Sequence, residues 1–259
     1  MMLKINDGHL FRTIEVWFND IDMVKIRNPR FKFMNIYEKP NISQYDKRTT
    51  LVNDLDVSPD QIQAQFTKEC RYEIRRAYKE NFVNVTLDGK ISKNNIIEFI
   101  ESYKKFNILK KFSNKKVNVI QKKLFKYSQQ GCLAITKVIN DGLPLVHHVY
   151  IYDGVVARLL YSISLHNSKE ENSRFIGFAN RWLHYSDMIY FKNKGLSKYD
   201  WGGVSSDTNL RGITKFKSEF GGKVQDTYYF VVNEFWLKKI YSKARDFFAN
   251  IRSLKKNEN

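Results

Sequence analysis

Cysteine and proline are scarce in this chain of 259 residues, with two of the first and four of the second. Cys70 and Cys132 lie far apart in apolar patterns, which excludes a disulfide framework. With no CxxC or Cys/His spacing, no metal site is expected either, and buried free thiols in a reducing compartment are the expected state. No run of about 18 apolar residues occurs, which excludes a membrane-spanning helix. The stretch MMLKINDGHLF lacks the apolar core of a signal peptide, so a cytoplasmic location is expected. Acidic residues are also few: 27 against 44 Lys and Arg, a net charge of +17. That excess favours anionic partners, whether phosphorylated metabolites, nucleic acid or a membrane surface, although solubility alone accounts for any single lysine equally well. The sequence contains neither repeats nor low-complexity segments.

Hydrophobic residues make up 42% of the chain and aromatics 15%, a globular composition in which Tyr and Phe fill the core and line any pocket. Residues 11–26 predict strand and turn. Residues 29–58 read as irregular, because together with Pro59 they hold three of the four prolines, and such a segment is a candidate lid. Ser58-Pro59 opens a helix predicted over 60–79, where Ile62, Phe66, Cys70, Ile74 and Ala77 recur every three or four residues. Arg71, Arg75 and Tyr78 form a second stripe. A strand over 81–87 and helices over 93–110 and 114–129 follow. From residue 131 the period changes to two. CLAITKVIN, PLVHHVYIY and VVARLLYSISL predict an antiparallel meander turning at Asn140-Asp141-Gly142 and Asp153-Gly154, where glycine accepts positive φ. Next come a helix over 174–194 ended by Gly195, a strand over 196–203 and a helix over 206–220 capped by Asp207 or Thr208. A strand over 221–232 and an amphipathic helix over 234–253 complete the chain. The change of period places a domain boundary near 130, giving halves 1–129 and 130–259.

Within SRFIGFANRWLHY (173–185), Arg174, Gly177 and Ala179 are spaced R-x-x-G-x-A. At a helix start the free N–H groups point at an anion. Gly177, having no Cβ, lets the anion approach, Ala179 keeps the next step small, and Arg174 adds a bidentate contact. A pyrophosphate fits Arg174, Phe175, Ile176, Gly177, Phe178 and Ala179. The spacing alone is common; its place between a meander strand and a long helix gives it weight. Here the chain resembles the GNAT acyltransferase superfamily, in which such a loop holds the pyrophosphate of an acyl-coenzyme A. More narrowly, YDWGG (199–203) with GITKFKSEFGG (212–222), and RYEIRRAYKENFVNV (71–85), resemble the FemAB-type branch. Members of that branch join amino acids to peptidoglycan precursors or acylate amino sugars.

The resemblance implies a mixed α/β (α+β) fold. Its central sheet is mostly antiparallel and flanked by helices, an abbreviated first half binds the acceptor, and the second half binds acyl-CoA. It further implies an acyl-CoA-dependent N-acyltransferase for a nucleotide-linked amino-dideoxy sugar, on thymidine diphosphate, of the pathways that build lipopolysaccharide O-antigen or capsule. FemAB-type peptidyl transferases are longer and carry a coiled-coil arm, which this chain lacks. That counts against transfer RNA as donor, and nucleic acid is not the expected partner. An aminoacyl-transfer-RNA-dependent transferase and a non-catalytic binding module for nucleic acid or an acidic protein are the alternatives.

Amide formation from a thioester needs a neutral amine, a stabilised oxyanion and a departing thiolate. Lys217, by the resemblance, stabilises developing charge or binds phosphate; otherwise it is an exposed helix lysine. Asp200, at the end of a strand before two glycines, is either the base or a cap of the Gly-Gly turn. His147 and His148 face opposite sides of a strand, and His148 is the one taken toward the cleft. His166, at a strand end, is another base candidate, while His184 reads as structural. Tyr161 could supply the leaving-group proton, since Phe216 occupies the place where many GNAT enzymes have a tyrosine. Arg71, Arg75, Arg158, Arg211 and Lys215 are the basic residues expected near an anionic acceptor, with Trp201 and Gly202 beside it. Oligomeric state is not legible.

Overall fold

A computed structural model of the chain describes residues 2–6, 12–18, 30–165, 170–204 and 211–233. The chain divides into two compact units, one of residues 1–48 and 226–259, the other of residues 49–225. The final helix expected over 234–253 lies outside the described residues, as do Asp207 and Thr208.

The first unit contains β1 (Met2–Asn6), β2 (Arg12–Trp17), β3 (Arg30–Ile36) and most of β10 (Lys223–Asn233). β1 and β2 pair antiparallel, β2 and β3 parallel, β3 and β10 antiparallel. Ile14, Val16, Phe31, Phe33, Ile36 and Tyr228 form its core, with Phe33 stacked on Phe230 at 4.4 Å.

The second unit begins within β4 (Asp46–Asp54) and continues through α1 (Pro59–Ala64), α2 (Lys68–Ala77), β5 (Val83–Asp88), α3 (Lys93–Leu109) and α4 (Val117–Gln129). The meander β6 (Leu133–Asn140), β7 (Leu143–Tyr152) and β8 (Val156–Ser164) follows, then α5 (Glu170–Asn193), β9 (Lys198–Gly203) and α6 (Arg211–Ser218). Its strands lie in the order β4-β9-β8-β7-β6-β5. Every pairing is antiparallel except β8 with β9, which α5 connects as a crossover. Thus the architecture is the mixed, mostly antiparallel α/β fold expected. Residue 130 lies inside this unit, where the helical pair α3–α4 gives way to β6.

Several local expectations are met for stated physical reasons. Ser58 caps α1 in a reciprocal box: its Oγ accepts from the Gln61 amide at 3.2 Å, and Gln61 Oε1 accepts from the Ser58 amide at 2.9 Å. Asp141 and Gly142 take consecutive φ of 48° and 75°, the twist of a two-residue hairpin. Gly195 ends α5 at φ 88°, and the Leu196 amide returns to Phe191 O.

Others require correction. Residues 29–58 are not irregular, since β3 and β4 occupy much of them. Pro40 falls between the strands and Pro59 opens α1, so the prolines punctuate the elements. The helix over 60–79 is two helices, because Thr67 restarts the chain with its own cap, Oγ1 accepting from the Cys70 amide at 3.2 Å. The Asp153-Gly154 turn does not rest on glycine. Asp153 Oδ1 accepts from the amides of Val155 and Val156, both at 2.8 Å, an Asx turn. Finally, α5 begins at Glu170 rather than Arg174.

One junction sets up everything nearby. β8 and β9 pair for only three residues, Val156–Arg158 against Lys198–Asp200. A bulge between the Val149–Tyr161 and Tyr150–Leu159 pairs then turns β8 away, and the two strands part. Asp200, fully buried, locks the last paired rung. Both its oxygens accept from Arg158 Nη1 at 2.9 Å, and Oδ1 also accepts from Thr50 Oγ1 at 2.5 Å and the Gly202 amide at 2.8 Å. Gly202 stands at φ 74°, where a Cβ would meet Leu159 O at 3.0 Å, so only glycine fits. Removing one partner of a buried ion pair strands the other. Asp200→Asn is therefore expected to lower stability by about 3 kcal/mol or more, read as a lower midpoint in urea unfolding. A loss below about 1 kcal/mol would show that the pair is not a fixed point of the fold.

Candidate active site

The parting of β8 and β9 opens a cleft of about 570 Å³ between them, α5 and α6. Leu159, Ser162 and Ser164 line it from β8, Trp201 from β9. Ser173, Ile176, Gly177, Asn180, Arg181 and His184 enter from α5, and Phe216 and Lys217 from α6. Phe106, Lys110 and Phe112 stand at the α3 end.

The GITKFKSEFGG stretch owes its pattern to this cleft. Phe216 and Phe220 pack beside His184 and Trp201. Gly221 and Gly222 stand at φ 68° and 91°, where a Cβ would meet Gln65 O at 2.5 Å and Val52 O at 2.9 Å respectively. The Thr67 amide donates to Glu219 O at 2.8 Å, and Asn53 joins the parts. Its Nδ2 donates to Phe220 O at 2.9 Å while its Oδ1 accepts from Trp201 Nε1 at 2.6 Å. The end of α6 is thereby clamped to β4 and to the break between α1 and α2. This fixes Lys217, whose Nζ donates to Gly203 O at 2.7 Å. Burial, then the nearby Arg158 charge, lower the Lys217 amine to about 8.

A chain of hydrogen bonds runs from the cleft into the core. His184 Nδ1 meets Tyr199 Oη at 2.7 Å, Tyr199 meets Tyr150 Oη at 2.8 Å, and Tyr150 donates to Asp187 Oδ2 at 2.6 Å. A carboxylate only accepts, which orients the whole chain. Tyr150 gives its proton to Asp187, so it accepts from Tyr199, and Tyr199 in turn accepts from His184 Nδ1–H. His184 Nε2 is left carrying the lone pair, with no hydrogen-bond partner among the described residues. Asp187 also meets His148 Nδ1 at 2.7 Å and accepts from Thr136 at 3.1 Å. His148 Nε2 lies 2.8 Å from Asn180 Oδ1, and the two imidazoles stack at 3.8 Å. Full burial, then the charges of His148, Lys217 and Arg181, push His184 well below the ordinary histidine range. His148, His184 and Asp187 bring three ligand atoms within 4.8 Å, but stacked rings direct their in-plane lone pairs poorly at one ion.

The sequence-derived candidates divide accordingly. Lys217, Trp201, Ile176 and Gly177 line the cleft. Trp201 is buried against His184 at 4.5 Å. His148 is fully buried behind the cleft wall and reaches it through Asn180. His147 faces the opposite way, against Phe99. Asp200, Arg158 and Gly202 are consumed in the β8–β9 lock, so Asp200 has no free oxygen to act as a base; it caps the turn. Arg174 and Arg75 are exposed and outside the lining. Phe175 packs on Phe82, Phe178 lies 6.0 Å from Arg76, and Ala179 is buried in an apolar cluster. Because α5 starts at Glu170, the amides of Arg174–Ala179 are internal to the helix, and the expected cradle of free N–H groups is not formed there. Arg71 donates to Phe66 O. Tyr161 packs between Phe99 and Tyr103, and Lys215 is exposed. His166 and the Arg211 side chain lie outside what is described. The cleft also brings in His184, Asn180 and Arg181, with Asp187 behind His184, none of them among the sequence-derived candidates. Arg181 binds Glu73 at 2.8 Å and Glu219 at 2.5 Å, while its Nε is buried without a partner.

No family model and no curated protein matches the chain. Solved structures do match, and the fold they define is that of FemX. The chain aligns with FemX at TM-score 0.58 and 15% identity, covering 79% of this chain and 67% of that one. L-PGS from Bacillus licheniformis aligns at TM-score 0.51 and 13% identity, over 77% and 66%. A conserved protein of unknown function from Bacteroides thetaiotaomicron aligns at TM-score 0.54 and 8% identity, over 78% and 69%. The chain thus spans about two thirds of the length of each. At such identities the likeness is one of fold.

The cleft's effect on amines can be measured on the protein itself. Labelling of Lys217 by an amine-reactive ester is expected to rise with a midpoint near pH 8. A midpoint at the ordinary 10.5 would put this amine in open water.

Proposed function

We propose that the chain transfers an acyl group from a thioester to an amine in this cleft. The observation carrying the proposal is that the cleft lining brings together an imidazole whose Nδ1 is committed to Tyr199, leaving Nε2 its lone pair, and the amine of Lys217, in surroundings that disfavour positive charge on nitrogen. Lys217 is held near 8 and His184 well below its ordinary range, and the same desolvation and like charge act on any amine placed beside them. A substrate amine is thus delivered neutral, the form that attacks a carbonyl. The N–C bond forms and the C–S bond breaks. The proton lost from nitrogen passes through His184 Nε2, which does not retain it, to the sulfur of the departing thiolate. Lys217, cationic below about pH 8, stabilises the oxyanion, while the relay from Tyr199 to Asp187 holds His184 in the tautomer that accepts.

Acyl-coenzyme A is the proposed donor. This rests on the opening between β8 and β9 beside Gly177, and on the buried, unpaired Arg181 Nε at its wall. The acceptor is proposed to be a nucleotide-linked amino sugar, from the sequence resemblance and from Lys110 and Lys217 in the lining. A second reading, with aminoacyl-transfer RNA as donor, is favoured by the likeness to FemX taken with the net charge of +17.

Thiol release with an acyl-CoA and amino-sugar nucleotides tests the reaction. His184→Gln is expected to lower kcat by roughly 10²-fold or more. Lys217→Ala should lower it by about 10²-fold, and the wild-type rate should fall as pH rises through about 8, where Lys217 loses its charge. Wild-type rates in both variants would remove the mechanism. At Gly177 an added Cβ meets nothing nearer than 3.7 Å. Gly177→Ala should therefore keep coenzyme A affinity in a calorimetric titration, while Gly177→Glu should abolish it by setting a carboxylate in the mouth. Unchanged binding in the Glu variant would turn the donor assignment toward transfer RNA.

A further inference from the structure

From Ser102 to Asn140 the chain has ten lysines and no acidic residue. Its centre is the turn between α3 and α4, where Ile108 is 69% exposed, Phe112 62% and Val119 64%, with Leu109 also exposed. Lys105, Lys110, Lys111, Lys115 and Lys116 stand exposed around them. Large apolar side chains in water are costly to keep together, yet this turn is built to present them. Asn107, buried at its base, donates to Asn114 Oδ1 at 2.8 Å, and its carbonyl accepts from the Phe112 amide at 2.7 Å. Lys111 takes φ 57° to close the turn. Phe112 packs edge-on against Phe106 at 6.2 Å, and both line the cleft.

We infer that this turn docks on an anionic lipid surface, with Ile108, Leu109, Phe112 and Val119 entering the interface and the surrounding lysines meeting the headgroups. Aliphatic side chains ringed by lysine match both layers of a bilayer interface, acyl boundary and phosphate. Nucleic acid offers no such match, since Ile108, Leu109 and Val119 cannot stack on bases. Because Phe106, Lys110 and Phe112 belong to the cleft, docking there brings its α3 end to the membrane plane. The inference needs neither donor nor acceptor and stands apart from the transfer reading.

Co-sedimentation of the full chain with phosphatidylcholine vesicles, with and without phosphatidylglycerol, tests it. Binding is expected only to the anionic vesicles. Joint Ile108→Ser and Leu109→Ser should weaken it by roughly tenfold or more, and each of Lys111→Gln, Lys115→Gln and Lys116→Gln by roughly fivefold, with unfolding midpoints unchanged because all five side chains are exposed. Equal binding to both vesicle types, wild-type binding by the double serine variant, or capture of homopolymeric RNA without vesicle binding would each overturn it.

Discussion

A carboxylate removed from water stays ionised only where cations and donors replace its hydration. Asp200 has Arg158, Thr50 and the Gly202 amide for that purpose, and the rest of the second unit follows from the arrangement. The lock holds a parallel rung that would otherwise be too short to fix the angle between β8 and β9. It also sets the left-handed turn at Gly202, which turns Trp201 toward Asn53 and offers Gly203 O to Lys217. A strong charge interaction is thereby spent on shape, and the groups that line the cleft are less firmly paired.

Those neighbours are arranged in opposite ways. Arg181 has two carboxylates against it, which neutralise its charge and tie α5 to α2 and to the end of α6. Among the described residues Lys217 and His184 have no carboxylate in hydrogen-bonding contact, and they lie in a wall of Trp201, Phe216 and Phe220. The one anion of the relay, Asp187, is reached from His184 through three hydrogen bonds, which orient the proton on Nδ1, while burial and the neighbouring cations hold the ring neutral.

Periodicity made the architecture legible. The meander and the long helix ended by Gly195 were plain in CLAITKVIN, PLVHHVYIY and residues 174–194, because half-buried strands and amphipathic helices must repeat in register with their cores. The strands of 29–58 were hidden by prolines whose places outside the strands only the pairing reveals. The site was partly legible. Lys217 was marked by the spacing of its phenylalanines and glycines, and Gly177 by its helix. Asp200 stays open between base and cap in the sequence because a buried carboxylate beside glycines looks alike whether it faces a cleft or an arginine forty-two residues away in sequence. His184 reads as structural in the sequence because a lone histidine inside a long helix carries no mark of what it faces. Asn180, His184 and Asp187 recur at four and three residues along a second stripe, polar where a core-facing stripe should be apolar. The start of α5, ahead of the residues that resemble a phosphate loop, had no marker beyond Glu170 and Glu171.

The two cysteines have a practical bearing. Both are buried, and burial pushes each thiol up to about 12, so almost no thiolate exists at neutral pH to attack a disulfide dye. The native protein is therefore nearly silent in any assay that counts thiols. Once the chain opens, the same two sulfurs become reactive and mark its unfolding. A thiol reagent then reads the integrity of the fold without a reporter being added to the protein.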